Sequence, residues 1–294
     1  MVRRRSVSEH IFDTLNVILM LFIIVVTLYP FLYVLFASLS DPATMVAHRG
    51  MLLAPTGGIT LSSYKMVLSN RSILTGYGNT LFLVVVGTSI NLIMTSFGAY
   101  VLSRRGYMGK RLLNFLVVFT MFFGGGLIPF YLTVKSLGLT DTLWALIFPK
   151  CIATYNMIVM RTAFQAVPDS IEESAHLDGA NDFTILFRMF WPLTLPTMAV
   201  MVLFYAVDHW NAWFNAMIFL QDRQKFPLQL VLREILISSD TSQMTTSVGG
   251  LETGIVGETI KYSTIIVATL PILAAYPFLQ RYFVSGIMIG AVKG

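Results

Sequence analysis

Six blocks of apolar residues divide the chain, and more polar segments separate them. The blocks cover about residues 14–37, 76–103, 112–134, 141–163, 197–221 and 262–285. Each block is about as long as the roughly 20 residues that an α-helix needs to cross about 30 Å of hydrocarbon. The pattern predicts an all-α membrane protein with six transmembrane helices in a single membrane domain, residues 1–294.

The composition agrees with a membrane location. Hydrophobic residues make up 55% of the chain and charged residues only 12%, about half the charged share of a soluble domain. The net charge of +5 is better explained by membrane topology than by nucleic-acid binding. A single cysteine, Cys151, excludes an internal disulfide and is expected to be a packing residue.

Basic residues in short segments set the predicted orientation, because Lys and Arg accumulate on the cytoplasmic side. They cluster at Arg3–Arg5, in the short connection 103–111, and near the C-terminus at Arg281 and Lys293. Both termini are therefore expected in the cytoplasm of a multi-pass protein of the inner or plasma membrane. The polar loop 164–196 is then cytoplasmic too.

The long polar loop 222–261 is expected on the outer side. It is rich in Ser, Thr and Gly from Ser238 to Gly257. Two interpretations stay open: a solvated connector, or a docking surface for an outer partner.

Loop 164–196 carries its own structural signals. Ser170 followed three residues later by Glu173 predicts a capping box and a helix that begins near Ser170. Gly179 is placed to end or bend that helix, and a second short helix is expected over Asn181–Trp191. Two short helices joined at a glycine would form a rigid knob that fits a partner's cleft. The alternative is an amphipathic loop lying on the bilayer surface.

The spacing in this loop resembles a known motif. Glu173-Ser174-Ala175, Gly179 and Pro192 stand at the positions of the cytoplasmic "EAA" loop of ABC-importer permeases, whose pattern is Glu-Ala-Ala, three residues, Gly, nine residues, Ile-x-Leu-Pro. The sequence departs from that pattern at Ser174, Met189 and Trp191.

Other segments extend the resemblance over nearly the whole chain. Trp210-Asn211-Ala212-Trp213 and the tail Gly286–Gly294 are similar to motifs of sugar-type permeases. The chain resembles the second permease half of the carbohydrate, maltose-type uptake family. The run Phe122–Tyr131 is typical of a subgroup linked to complex oligosaccharides or polysaccharide fragments.

The resemblance implies a binding-protein-dependent ABC permease fold that works by alternating access. The partners it implies are a homologous permease, two cytoplasmic ATPase subunits, an extracellular or periplasmic solute-binding protein and membrane lipid, without nucleic acid. ATP and Mg²⁺ would bind to the ATPase subunits, and no cofactor to this chain, which has no phosphate-binding loop of its own. The residues implied in ATPase coupling are Glu172, Glu173, Ala175, Asp178, Gly179 and Pro192.

Polar and aromatic residues within the apolar blocks are candidates for the substrate pathway, because such groups are costly in a membrane. Aromatic faces and amides also suit sugar C–H surfaces and hydroxyls. Asn211 and Asn215, four apart, are expected to share a helix face, and Lys150 is a possible partner of Asp208. Alternatively, the tryptophans form an interfacial belt and the amides bond between helices. The candidates are Tyr155, Asn156, Trp210, Asn211, Trp213 and Asn215.

Rival functions depend on features that the sequence does not favour. An ABC permease for a non-sugar solute such as an amino acid is the main alternative. A channel or secondary transporter would not need the loop motif. An intramembrane enzyme would need convergent groups, whereas the adjacent Asp208 and His209 point in different directions on a helix. The scattered histidines predict no metal site.

Overall fold

A computed structural model describes residues 7–104, 109–245 and 259–277, and within these ranges the regular structure is helical, without strands. The chain divides into two compact units. The first unit comprises Met1–Asn70 and Glu234–Leu270, and the second comprises Arg71–Arg233 and Pro271–Gly294. The basic clusters at both termini, Arg105 and the tail Gly286–Gly294 lie outside the described residues.

The first unit begins with a long apolar helix, α1 (Val7–Leu39). At 1.5 Å per residue it is about 50 Å long, and its apolar side chains are exposed on all sides over most of its length, as expected of a helix surrounded by lipid. Two short helices follow, α2 (Pro42–Ala47) and α3 (Ser62–Ser69).

The segment after α1 is packed. Ala37, Met45 and Leu52 form a small buried cluster, and the Asp41 N–H donates to the Thr56 carbonyl at 3.0 Å. This segment is therefore an ordered, packed part of the first unit.

The second unit begins with α4 (Arg71–Ser103), which contains one π-helical turn at Leu83–Gly87. Gly87 lies directly against His209, since a Cβ on this glycine would come within 2.5 Å of His209 Nε2. The helix therefore needs glycine here for close packing.

The third apolar block is a bent pair of helices, α5 (Lys110–Phe122) and α6 (Leu127–Ser136), which meet at 113°. The bend falls on Phe123-Gly-Gly-Gly126, and Gly126 has a φ of +83°, a backbone conformation that favours glycine.

The fourth apolar block is also interrupted. It contains α7 (Trp144–Ile147), a 3₁₀ turn at Phe148–Lys150 and α8 (Thr154–Gln165). Pro149 cannot donate an N–H to a regular helix. Side chains from neighbouring helices bond to the irregular backbone, as described below.

The loop and the fifth block form α9 (Asp169–Leu177), α10 (Asp182–Leu193), α11 (Leu195–Trp210) and α12 (Phe214–Phe219). Helices α10 and α11 meet at 92°. Because α11 ends before Asn211 and α12 begins after Trp213, the prediction that Asn211 and Asn215 share a helix face is wrong.

Part of the predicted outer loop, from Phe226 onward, belongs to the core. Helix α13 (Leu228–Thr245) begins there, the Leu228 N–H donates to Thr80 Oγ1 at 2.8 Å, and Leu228 is fully buried. A solvated connector is therefore the wrong interpretation for this part of the loop, while residues 246–258 lie outside the description. The last described helix is α14 (Thr259–Pro277).

Three of these helices are long and apolar enough to cross a membrane, and up to five spans result if each bent pair counts as one. The three are α1, α4 and α14. The breaks inside the third, fourth and fifth blocks are the physical reason why the apolar blocks of the sequence do not each appear as one straight helix. Six spans stay a prediction.

Candidate functional site

Gly179 ends helix α9 in the way its sequence position predicts. Its φ of +79° is left-handed. The Gly179 N–H donates to the His176 carbonyl at 3.0 Å and the Ala180 N–H donates to the Ala175 carbonyl at 2.9 Å. This pair of hydrogen bonds is a Schellman motif. Asn181 then caps α10, since its Oδ1 accepts from the Thr184 N–H at 2.8 Å, which confirms the predicted two-helix shape.

The start of α9 differs from the prediction. The N-cap residue is Pro168, without a side-chain cap hydrogen bond, and Ser170 lies inside the first turn. A cap requires a residue outside the helix, so the capping box of Ser170 and Glu173 does not form. The Ser170 carbonyl instead accepts from Ser174 Oγ at 2.8 Å, and Glu173 is exposed.

Glu172 points inward, to the end of α4. Its carboxylate forms an ion pair with Arg104, and both side chains are largely buried. The Arg104 guanidinium lies 5.1 Å from the ring centroid of Tyr100 and 4.5 Å from that of Phe190, distances typical of cation–π contacts. Arg104 also donates to the Phe164 carbonyl at 3.4 Å. This one side chain therefore connects α4, α8, α9 and α10.

Further polar contacts surround the ion pair. The Tyr100 hydroxyl donates to Glu172 Oε1 at 3.2 Å and to Asp182 Oδ1 at 3.4 Å. His176 Nε2 lies 3.7 Å from the same Asp182 oxygen. The base of the loop is thus a network of charged and aromatic groups, which we call the Arg104 cluster (Tyr100, Arg104, Glu172, His176, Asp182 and Phe190).

Trp191, which departs from the motif, has a structural role. Its Nε1 donates to Ser96 Oγ on α4 at 3.1 Å, and its ring meets that of Phe187 edge-on at 5.0 Å between centroids. A smaller aliphatic residue would provide neither contact. Trp191 therefore fastens the second helix of the loop to α4.

The residues predicted to couple to an ATPase divide into two groups. Glu173, Asp178, Gly179 and Pro192 are exposed, whereas Glu172 and Ala175 face the interior of the unit, with Ala175 only 1% exposed. Beside the exposed group, Leu177 is 89% exposed, which is unusual for a leucine. The tip of the loop is thus available to a partner, while Glu172 holds its base.

A cavity of about 910 Å³ lies within the second unit, near the top of the roughly 300–1,000 Å³ range of small-molecule sites. Two predicted pathway residues, Asn156 and Asn211, line it. The other four, Tyr155, Trp210, Trp213 and Asn215, lie outside it, and their pathway role stays a prediction. The lining consists of Pro149, Lys150, Ile152, Ala153, Asn156, Leu203, Phe204, Tyr205, Val207, Asp208, Asn211, Ile272 and Tyr276.

Lys150 and Asp208 are the two charged residues in the cavity lining. Nζ and Oδ2 are 3.4 Å apart, which confirms the possible pairing. Asn91 Nδ2 donates to the Lys150 carbonyl at 2.9 Å, and the Ala153 N–H donates to the Tyr205 hydroxyl at 3.1 Å. The irregular backbone beside the cavity is therefore bonded to α4 and α11, as non-helical backbone at membrane depth must be.

Two tryptophans of the predicted pathway have packing roles. Trp210 is buried and meets the Tyr77 ring at 6.4 Å between centroids. The Trp213 ring lies 4.6 Å from the Arg233 guanidinium. These contacts explain why neither ring reaches the cavity.

Asp141 joins the connection before α7 to the segment after α12, and the sequence did not single it out. Its Oδ1 accepts from the N–H groups of Gln221 and Asp222, each at 3.0 Å, and its Oδ2 from Lys225 Nζ at 2.7 Å. The Asp222 N–H, then the Lys225 ammonium and the Gln221 N–H, lower the Asp141 pKa to about 2. Asp141 has a φ of +58°, which is uncommon outside glycine.

Among the described residues, no group of three or more His, Cys, Asp or Glu could hold a metal ion. The fold and the site together define a membrane permease subunit, with a two-helix loop on a rigid base and a cavity beside interrupted helices.

Comparison with known proteins agrees with this class. No protein-family model matches the sequence. The chain is 40% identical over 98% of its length, and 100% of the relative's, to the polygalacturonan/rhamnogalacturonan transport system permease protein YtcP of Bacillus subtilis (strain 168). It is 42% identical to protein LplC of the same organism, over 98% of this chain and 96% of LplC.

A solved structure is similar as well. One chain of a bacterial ABC transporter involved in the import of the acidic polysaccharide alginate matches with a TM-score of 0.86 and 32% identity, over 96% of this chain and 100% of that one. The chain belongs to the carbohydrate ABC-importer permease family, as the motifs of its sequence predict.

Proposed function

We propose that this chain is the transmembrane subunit of an ATP-driven importer that moves oligosaccharides or polysaccharide fragments across the cell membrane by alternating access. The observation that carries the proposal is the loop 164–196. Its tip is exposed at Glu173, Leu177 and Asp178, and its base is fixed to α4 by the Arg104 cluster. Such a loop can pass a partner's movement to the membrane helices.

The substrate class follows from the relatives. YtcP is named for polygalacturonan and rhamnogalacturonan, and the similar transporter of known structure for an acidic polysaccharide. These names favour fragments of complex polysaccharides over amino acids. The cavity beside Asn156 and Asn211 offers amides for sugar hydroxyls along the proposed route.

The proposed assembly has a homologous second permease, two cytoplasmic ATPase subunits and an outer solute-binding protein. ATP and Mg²⁺ bind to the ATPase subunits, and this chain hydrolyses nothing itself. Both termini and loop 164–196 face the cytoplasm, so the exposed tip meets the ATPases there. Closure of the ATPase dimer moves the loop as a unit, and the contacts of Arg104 to α4, α8 and α10 pass that movement on.

Gly179→Leu tests the proposal in the assembled importer reconstituted in vesicles. Nothing lies within 4 Å of a Cβ at Gly179, so the new side chain projects from the tip and obstructs a partner's cleft. We expect sugar uptake to fall at least about tenfold (about 1.4 kcal/mol), with ATP hydrolysis no longer stimulated by loaded binding protein.

Gly138→Leu is the matched control. Gly138 has a φ of +68° and equally open surroundings, so both substitutions impose a similar backbone strain of roughly 1–2 kcal/mol. Gly138 lies in the connection between α6 and α7, outside loop 164–196. Normal coupled uptake by Gly179→Leu, or an equal loss in both variants, would contradict the coupling role.

A further inference from the structure

The cavity contains one loosely held cation. The Lys150 Nζ to Asp208 Oδ2 distance of 3.4 Å exceeds the 2.7–2.9 Å of a good charge-assisted hydrogen bond. Both side chains are about half exposed, and such pairs contribute little to stability. By contrast, Lys225 and Asp141 approach to 2.7 Å. An arriving anion can therefore replace Asp208 as the partner of Lys150 at small cost.

The backbone of Lys150 is held in place by hydrogen bonds, whereas its ammonium group is only loosely held. Asn91 holds its carbonyl, and the Cys151 N–H closes the 3₁₀ turn onto the Phe148 carbonyl at 3.2 Å. The side chain thus leaves a defined point of the cavity wall, and only its own flexible stem must be ordered on binding. A cation presented in this way is partly preorganised for a ligand.

The remainder of the lining shows what else the ligand must offer. Apolar surfaces come from Ile152, Phe204 and Val207, and hydrogen-bonding groups from Asn156, Asn211 and Tyr276. A sugar ring has C–H faces for the former and hydroxyls for the latter. A neutral sugar leaves the Lys150–Asp208 pair intact, whereas a uronic acid brings a carboxylate that competes with Asp208.

We propose that Lys150 binds the carboxylate of a uronate unit in the transported oligosaccharide, and that Asp208 is its resting counter-ion, displaced when the acidic sugar arrives. This inference rests on the proposed function and names its substrate class. Lys150 is then the residue that distinguishes acidic from neutral glycans, because it is the lining's cation.

The test uses the reconstituted importer with saturating binding protein and two probes on the same skeleton: trigalacturonate and its fully methyl-esterified form. Initial uptake rates are measured for the unsubstituted protein, Lys150→Gln and Lys150→Arg. We expect Lys150→Gln to lower the acid-to-ester uptake ratio about tenfold, because acid uptake should fall far more than ester uptake. Lys150→Arg keeps the charge and should retain most of the ratio.

Asp208→Asn sharpens the test. Removing the counter-ion leaves Lys150 available, so the acid-to-ester ratio should rise a few-fold. In the double variant Lys150→Gln/Asp208→Asn this rise should vanish, because Asp208 acts only through Lys150.

The outcomes separate the inference from the proposed function. If the unsubstituted protein imports neither glycan, the proposed function fails. If it imports glycans but Lys150→Gln leaves the ratio unchanged, or reduces both rates equally, the inference alone is overturned. If only the acid is imported, loss in Lys150→Gln with rescue by Lys150→Arg supports the inference, and equal loss in both variants overturns it.

Discussion

Two ion pairs in the second unit show opposite designs. In the Arg104 cluster, the side chains of Arg104 and Glu172 are 16% and 17% exposed. Beside the cavity, those of Lys150 and Asp208 are 48% and 55% exposed and 3.4 Å apart. Both pairs join different helices, yet their surroundings differ completely.

The surroundings determine what each pair can do. Arg104 is held by Tyr100 and Phe190 and by the Phe164 carbonyl, so its movement would disturb several elements together. Lys150 has Asp208 as its side-chain partner at hydrogen-bond range. A tightly enclosed pair suits a part that transmits force, and a loose pair suits a part that must accept a ligand.

The largest effect expected from this contrast is that of Arg104→Ala. It leaves the Glu172 carboxylate largely buried without its cation, and breaking a buried pair in this way costs about 3 kcal/mol or more. We expect the free energy of unfolding of the purified protein in detergent to fall by about that amount. Denaturant titration followed by tryptophan fluorescence measures the change.

Lys150→Ala is the matched control, because it removes the cation of the loose pair. We expect the free energy of unfolding to fall by at most about 0.5–1 kcal/mol, as for exposed ion pairs. Similar losses in the two variants would show that the two pairs do not differ in the way their burial indicates.

Trp191 gives a smaller test of the loop's attachment to α4. Trp191→Phe keeps an aromatic ring but removes the Nε1 hydrogen bond to Ser96 Oγ. A hydrogen bond of this kind contributes about 1 kcal/mol, and we expect stability to fall by about that amount. A double-mutant cycle with Ser96→Ala isolates the pair. A coupling energy near zero would mean that Trp191 acts only through ring packing.

Local signals in the loop sequence predicted its shape. Gly179 ends α9 with a positive φ and Asn181 caps α10, because both are effects of near neighbours on the backbone. The capping box at Ser170 was wrong since Pro168 starts the helix earlier. Arg104 appeared in the sequence only as a topological charge. Its contacts with Phe164, Glu172 and Phe190 lie 60 to 86 residues away along the chain, and no local pattern reveals them.

The lining of the cavity, in contrast, could not be predicted from local sequence signals. Apolar blocks in the sequence do not reveal where a helix is interrupted, and the breaks at Cys151–Ala153 and Asn211–Trp213 decide which polar groups reach the cavity. Trp210 and Asn211 are neighbours in sequence, yet Trp210 is buried elsewhere and Asn211 lines the cavity. Supporting bonds from Asn91 and Tyr205 depend on tertiary packing.

A third ion pair, Asp141 with Lys225, is intermediate in exposure, at 34% and 38%, and gives the smallest effect. The Asp141 pKa is lowered from 3.8 to about 2 in the folded protein. Its stabilising contribution is therefore fully present above the unfolded pKa of 3.8 and is lost as pH falls from there towards 2. We expect the stability difference between the unsubstituted protein and Asp141→Asn to shrink as pH falls from 3.8 to about 2, as followed by thermal unfolding. A difference that stays constant over this range would mean that the carboxylate's charge does not stabilise the connection, and that its geometry alone holds Gln221 and Asp222 in place.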